Sequence, residues 1–381
     1  MTKIESSLTG PGPHLLQWLT VAIALFTLAG CAGGRPLMPV PNVYTGDSAR
    51  DLFQELPEEL KGNDLDLLYV TDRVRETDAD GKPAYGSGRS RSVAFGSVVV
   101  RIVPEMSWDQ LVEVSLQKDR SPKLKMEMGS IVELGRFPDT PPPLILIDGK
   151  ARQDPAYQEY VLESERLFRT EIRRRLERSP RAEILVFVHG YNNDFNDAAF
   201  TLAETWHFMG REFVPILYTW PAGRGGASGY IYDRESGEFT VHHLKNLIRE
   251  LSSVEEIESF HMIAHSRGTD VLTSAIRERA LVGRALGLGV PVRLRDSHIV
   301  LAAPDLDMDV VSQRVIAEQL GRETRNLTIY TSQADKAIGM AEKLFKSVKR
   351  IGRMDVEDLD ASQLESLKYI EGISIIELEV T

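Results

Sequence analysis

This 381-residue sequence predicts an α/β fold, a mostly parallel sheet with helices on both faces. Three observations carry that prediction. Apolar runs alternate with helix-like stretches through the second half of the chain: "EILVFVHG" (183–190), "FVPILYTWP" (213–221), "SHIVLAAPD" (297–305) and "NLTIYTSQAD" (326–335). The runs are continuous rather than alternating, as expected of parallel strands buried on both faces. Finally, "FHMIAHSRGTDVLTSAI" passes from an apolar run, through a turn with Ala264 and Gly268 flanking Ser266, into a helical pattern. That shape resembles the strand–turn–helix that presents a nucleophilic serine.

The composition, 42% hydrophobic and 27% charged, is that of an ordinary globular protein. The length suits one large α/β domain or two smaller ones. A net charge of -11 argues against a nucleic-acid partner and against generic adhesion to anionic membranes. Cys31 is the single cysteine, so no internal disulfide can form. Before it runs "LLQWLTVAIALFTLAG" (15–30), short for a bilayer-spanning helix of about 20 residues but the length of a secretory signal core. Leu28-Ala29-Gly30-Cys31 resembles the lipobox of bacterial lipoproteins, where the signal is cut before the cysteine and the thiol is acylated. An uncleaved anchor helix is the competing reading. The expected organisation is a signal peptide (1–30), a flexible tether (31–64) starting at lipidated Cys31, and a folded domain (65–381). The expected place is the bacterial cell envelope, with the membrane reached through Cys31.

The tether "AGGRPLMPVPNVYTGDSARD" is rich in Gly, Pro and polar residues and has no sustained period. Extra N-terminal strands are expected at "LDLLYVTDR" and at the β-branched "SVAFGSVVVRIVP" (92–104). "PPPLILIDG" (141–149) is a short strand or an extended connection. "QEYVLESERLFRTEIRRRLERS" sets Tyr160, Val161, Ser164, Leu167, Phe168, Ile172 and Leu176 at helical spacing, with Arg173-Arg174-Arg175 as a solvated face. Helices are then expected over "DAAFTLAETWHFMGRE", "VHHLKNLIREL", "GTDVLTSAIRERAL", "MDVVSQRVIAEQL" and "AIGMAEKLFKSV". The chain closes on the strand "ISIIELEV". In such a sheet the site gathers at the carboxyl ends of the strands.

Ser266 is the candidate nucleophile, and its hydroxyl needs a base to take its proton. The backbone N–H of Arg267, at a helix N-terminus, can hold a developing oxyanion. A second donor is expected from the loop after an earlier strand, and the N–H of Tyr191 in "VHGYNN" suits that role.

These pieces together resemble the α/β-hydrolase superfamily. More narrowly they resemble a bacterial family of uncharacterised α/β-hydrolase proteins, often lipoproteins. The matching stretches are "LYVTDR" (68–73), "YGSGRSRSVAFG" (85–96), "VFVHGYNN" (186–193), "LYTWPA" (217–222), "YDRES" (232–236), "IAHSRG" (263–268), "LAAPDLD" (301–307) and "IYTSQADKA" (329–337). Arg267 stands where a methionine is expected, in a role that uses only its backbone. The resemblance implies the α/β-hydrolase fold over residues 65–381 and the chain order Ser, then Asp or Glu, then His. The acid then falls at Asp335, after the later strand, with Asp305 as the alternative or as a helix N-cap.

The histidine should follow the final strand, and Thr381 is the last residue given. The expectation is therefore a base lying past that strand, and a poor hydrolase without it. Of the histidines present, His189 braces its loop, while His261 and His298 open their strands at the far end of the sheet. His207 sits in a helix, His265 flanks the nucleophile, and His242 and His243 reach the site only if their helix folds over it. There is no metal-binding spacing, phosphate loop or dinucleotide fingerprint, so no metal and no cofactor are expected. "GRGGASG" (223–229) is expected to be a mobile loop that opens no helix, and the basic residues from Lys343 to Arg353 a solvated helix face.

The sequence thus points to a serine-hydrolase-like envelope lipoprotein, an esterase or lipase acting on a small acyl ester or lipid-like substrate. The alternative is a catalytically silent binding lipoprotein of the same fold.

Overall fold

The computed structural model describes residues 34–41, 44, 53, 56–287, 297–314, 318, 320, 324–333, 349–354 and 372–378. The expected signal peptide, Cys31 and Asp335 lie outside the described residues. Twelve strands are described, β1 (Arg35–Pro36), β2 (Asp64–Thr77), β3 (Pro83–Val103), β4 (Lys125–Arg136), β5 (Leu144–Ile147), β6 (Lys150–Gln153), β7 (Glu183–Val188), β8 (Val214–Thr219), β9 (Ser259–His265), β10 (Ser297–Ala302), β11 (Asn326–Thr331) and β12 (Ile373–Glu377). Ten of them make one sheet in the order β1-β4-β3-β2-β8-β7-β9-β10-β11-β12. From β2 through β12 along this order the pairings are parallel, while β3 and β4 add antiparallel strands at the amino-terminal edge. The predicted α/β-hydrolase architecture, with extra N-terminal strands, is what the chain adopts.

The helices are α1 (Trp108–Ser115), α2 (Pro155–Leu176), α3 (Phe195–Phe208), α4 (Gly226–Ser252), α5 (Gly268–Ala285) and the short α6 (Met308–Ser312). Helices α2, α4 and α5 cover one face, where Phe168, Leu244 and Ile276 meet Ile184, Ile216 and Met262. Helices α1 and α3 cover the other, where Leu111 and Leu202 share a cluster with Leu185, Phe187 and Leu217. Each such fully buried side chain contributes roughly 1.5–3 kcal/mol. Both faces of β7 and β8 are therefore buried, which explains their unbroken apolar runs. From β7 the chain moves outward to β8 and then returns across β7 to β9. The two neighbours of β7 are thus reached in opposite directions, which makes the carboxyl ends of β7 and β9 the topological switch point, where sheets of this class place their sites.

Local signals set the helix ends. Asp154 caps α2 through Ala156 N–H, with Pro155 in its first turn. Asp194 caps α3 through Asp197 N–H at 2.8 Å.

Several expectations are corrected. The stretch 31–64 is not a free tether in its described part. Leu37, Val40, Phe53 and Leu56 are buried, and Arg35 pairs with Glu204 at 2.5 Å. A few isolated apolar anchors suffice to dock a segment that shows no periodicity. The short strand expected at "LILI" is present as β5, and it pairs with β6 in a separate hairpin around Asp148-Gly149, both at positive φ. The apolar stripe of α2 is narrower than its spacing suggested, because Tyr160 and Leu167 are exposed. Nor is its arginine run simply solvated: Arg175 is buried, bound to Glu171 at 2.7 Å and Asp66 at 3.0 Å. "GRGGASG" does open a helix, since α4 begins at Gly226, directly after the positive-φ residues Gly223 and Gly225.

Candidate active site

Ser266 follows β9 with φ of 49°, a left-handed conformation that costs a non-glycine residue roughly 1–3 kcal/mol. Four hydrogen bonds hold it there. Its N–H donates to Ala302 C=O at 2.9 Å, and its own C=O accepts from Thr269 N–H (3.1 Å), Thr269 Oγ1 (2.6 Å) and Asp305 N–H (3.2 Å). The turn is thereby tied both to its own helix and to the end of β10.

The small residues around it are required by close approach. A Cβ on Gly268 would lie 2.3 Å from His189 C=O, so α5 starts almost in contact with the end of β7. A Cβ on Gly190 would lie 2.9 Å from Ser266 Cβ and 3.0 Å from His265 Nδ1. These contacts bring the "HGYNN" loop against the serine, where the sequence expectation put it. Among the described residues, neither the backbone N–H of Tyr191 nor that of Arg267 has an acceptor.

Buried polar groups shape the loop. His189 is fully buried; its Nδ1–H donates to Gly190 C=O at 2.9 Å, and its Nε2 accepts from Trp220 N–H at 3.0 Å. Burial, with the nearby Arg73 charge, holds this imidazole well below its ordinary pKa. It braces the loop, as expected. Arg73 is buried beside it and donates to Thr219 Oγ1 (2.9 Å), Ala222 C=O (2.8 Å) and Asn193 C=O (2.8 Å). Burial lowers the Arg73 pKa to about 10. Asp233, from the first part of α4, accepts from Asn192 N–H at 3.0 Å and Gly223 N–H at 3.4 Å, linking the loops after β7 and β8. Burial pushes its carboxyl up.

Asp305 is not a helix N-cap; Asp307 caps α6 instead. The Asp305 carboxylate is buried, accepts from the Tyr230 hydroxyl at 2.7 Å and lies 3.5 Å from the Arg350 guanidinium. Burial and that carboxylate push the Tyr230 phenol up to about 12. Tyr191 packs on Tyr230, with ring centroids 5.3 Å apart, and its hydroxyl donates to Gly226 C=O at 2.9 Å. Arg267 turns its side chain to Asp270 at 2.6 Å, leaving its backbone at the turn.

Seven of the eight histidines fall among the described residues, and none of those seven has a ring nitrogen hydrogen-bonded to the Ser266 hydroxyl. His243 bonds Asp72 and Thr140 instead, His207 bonds Ser115 and Arg211, and His242 shares a bond with Asn246. His261 meets Glu183 at 2.9 Å and stacks on His298 at the amino ends of β9 and β10. The ring of His265 lies against Gly190. Among the described residues no group of His, Cys, Asp and Glu could hold a metal ion. Nor is any helix there long and apolar enough to cross a membrane.

Arg73, Trp220, Tyr230 and Asp233 had no role assigned from sequence. Three of them sit inside stretches that carry the family resemblance, "LYVTDR", "LYTWPA" and "YDRES", so the signal was present without its geometry. No curated protein matches the chain. A family model described as "Alpha/beta hydrolase of unknown function (DUF900)" matches residues 164–381, from within α2 through β12. The strand order, the strained serine turn and that match over more than half its length agree, and the chain belongs to this alpha/beta hydrolase family of unknown function.

Proposed function

We propose that this protein is a serine-hydrolase-type envelope lipoprotein acting on a small acyl ester. The observation that carries the reading is Ser266 at positive φ between β9 and α5, with the Gly190–Tyr191 turn packed against it. In this reading Ser266 Oγ attacks the ester carbonyl carbon while a base takes its proton. The N–H groups of Tyr191 and Arg267 receive the charge that develops on the carbonyl oxygen. The alcohol then leaves with a proton from the base, and water hydrolyses the acyl-serine. Asp335 is the proposed acid that orients the base. Asp305 is engaged by Tyr230 and Arg350 and suits a bracing role beside the serine turn.

A second reading is favoured by the histidine positions: a catalytically silent binding lipoprotein that keeps the fold and the serine turn. Removal of the base from such a triad costs on the order of 10⁶ in kcat. Fluorophosphonate labelling of the 381-residue chain separates the two readings. Slow labelling is expected, lost in Ser266→Ala and accelerated by added imidazole acting as an external base. Labelling that imidazole does not accelerate and Ser266→Ala does not abolish would favour the silent binder. Fast, Ser266-dependent labelling without imidazole would place a base among the chain's own histidines. In any form that labels fast, Asp335→Asn should slow the reaction far more than Asp305→Asn.

A further inference from the structure

A cavity of about 310 Å³ opens between α2, α4 and the strands β2 and β3, and none of Ser266, Tyr191 and Arg267 lines it. Its floor is apolar, formed by Val70, Val93, Phe137 and Leu247. One wall is the His243 imidazole beside the Thr140 hydroxyl. The Nδ1–H of His243 donates to the Asp72 carboxylate at 2.9 Å, and its Nε2 shares a hydrogen bond with Thr140 Oγ1 at 2.9 Å. Phe239 packs edge-on against the ring, with centroids 4.9 Å apart. Asp72 is fully buried, with the same Oδ2 accepting from the Thr240 hydroxyl. Its Oδ1 has no hydrogen-bond partner among the described residues. Burying a carboxylate costs several kcal/mol, and apolar residues of the same volume would pack this position at less cost. What the carboxylate provides is an imidazole held in one orientation at the cavity wall.

The charges around the rim are already matched. Arg169 meets Glu165 at 3.1 Å and Glu250 at 2.6 Å, and Arg249 meets the same two carboxylates at 3.1 and 2.9 Å. Arg91 lies 3.4 Å from Asp139. A charged ligand would find no unmatched partner there and would lose its hydration.

We propose that this cavity is a ligand site separate from the Ser266 turn, taking a small uncharged amphiphile. Its aliphatic body lies on the Val70–Val93–Leu247 floor, and its hydroxyl donates to Thr140 Oγ1 beside the His243 ring. The volume is at the lower end of the range of small-molecule sites, roughly 300–1,000 Å³.

Octan-1-ol is the probe, and its binding is read on the full chain from the ¹³C-labelled His243 ring signals, assigned with His243→Gln. Those signals should move saturably with octan-1-ol and about tenfold more weakly with octanoate. Thr140→Val, which removes one hydrogen-bonding group, and Val161→Trp, which fills the cavity from α2, should each weaken octan-1-ol by about tenfold. Ser266→Ala should bind as the unaltered chain does. His243 signals that octan-1-ol leaves unmoved, octanoate bound as tightly, or full affinity in folded Thr140→Val would each overturn the proposal. Loss of binding in Ser266→Ala would overturn it as well, by moving the ligand to the serine turn.

Discussion

Trp220 holds His189 at three points. Its indole stacks on the imidazole with the planes 3° apart, its backbone N–H donates to Nε2 at 3.0 Å, and its Nε1–H donates to the His189 C=O at 2.9 Å. The residue after β7 is thereby fixed to the residue after β8, which sets the start of the loop that faces Ser266. Trp220→Phe keeps an aromatic face and leaves the His189 carbonyl without its indole donor. It should cost about 1–3 kcal/mol, read from the urea midpoint, and slow Ser266 labelling. An unchanged midpoint would show that the indole N–H has no such role.

Arg73 places its three guanidinium nitrogens on five acceptors: Thr219 Oγ1, Gly86 C=O, Ala222 C=O, Asn193 C=O and His189 Nε2. A lysine ammonium is a point charge with three donors and cannot reproduce that fork. Arg73→Lys should therefore destabilise the chain by about 3 kcal/mol or more through the acceptors left unpaired. A melting temperature within a degree or two of the parent would contradict this.

The two close-approach glycines should respond differently to a methyl group. Gly268→Ala drives its Cβ into the His189 and Val188 carbonyls, which are backbone and cannot rotate away. A loss of about 1–3 kcal/mol is expected from overpacking. Gly190→Ala presses on Ser266 Cβ and the His265 ring, so its main effect should be on the Ser266 labelling rate, with a smaller change in melting temperature. The reverse ranking of stability would mean the loop, not the helix start, is the rigid partner.

Stability should fall as the solution is acidified below neutrality. His189 and His207 are both fully buried, and burial with the Arg73 and Arg211 charges holds them well below the ordinary value. Unfolded, each takes a proton near pH 6.5; folded, each resists until far lower. Their contribution is thus complete above pH 6.5 and lost as pH falls below it, at up to about 2.7 kcal/mol per pH unit for two protons. Urea midpoints at pH 7.5 and 5.5 measure this, the second being the lower. His207→Gln should roughly halve the slope.

Lipidation at Cys31 is proposed from "LAGC" behind an apolar stretch of signal length. Cys31→Ser should release the protein from membranes or stall its processing, because several acyl chains anchor far more firmly than one. Wild type that is never acylated, together with a membrane-bound Cys31→Ser, would remove the idea.

The α/β fold class, the β7, β8 and β9 strands and the turn at Ser266 were legible because they rest on local pattern. An unbroken apolar run can be buried only on both faces, and small residues around a serine permit a turn that larger ones would block. The loop that packs against the serine was legible through "VHGYNN", whose place depends only on following such a strand. Other features depend on atoms distant in the chain. Asp72 and His243 meet across 171 positions, and Arg73 reaches His189 across 116. Neither pairing leaves a period or spacing to read. The docking of Leu37 and Val40, the burial of Arg175 and the start of α4 at Gly226 were likewise decided by what packs against them. Sequence pattern determined which segments become strands and where the serine turn lies. Only tertiary packing decided which polar groups are buried together, because desolvation and hydrogen bonding act between neighbours in space.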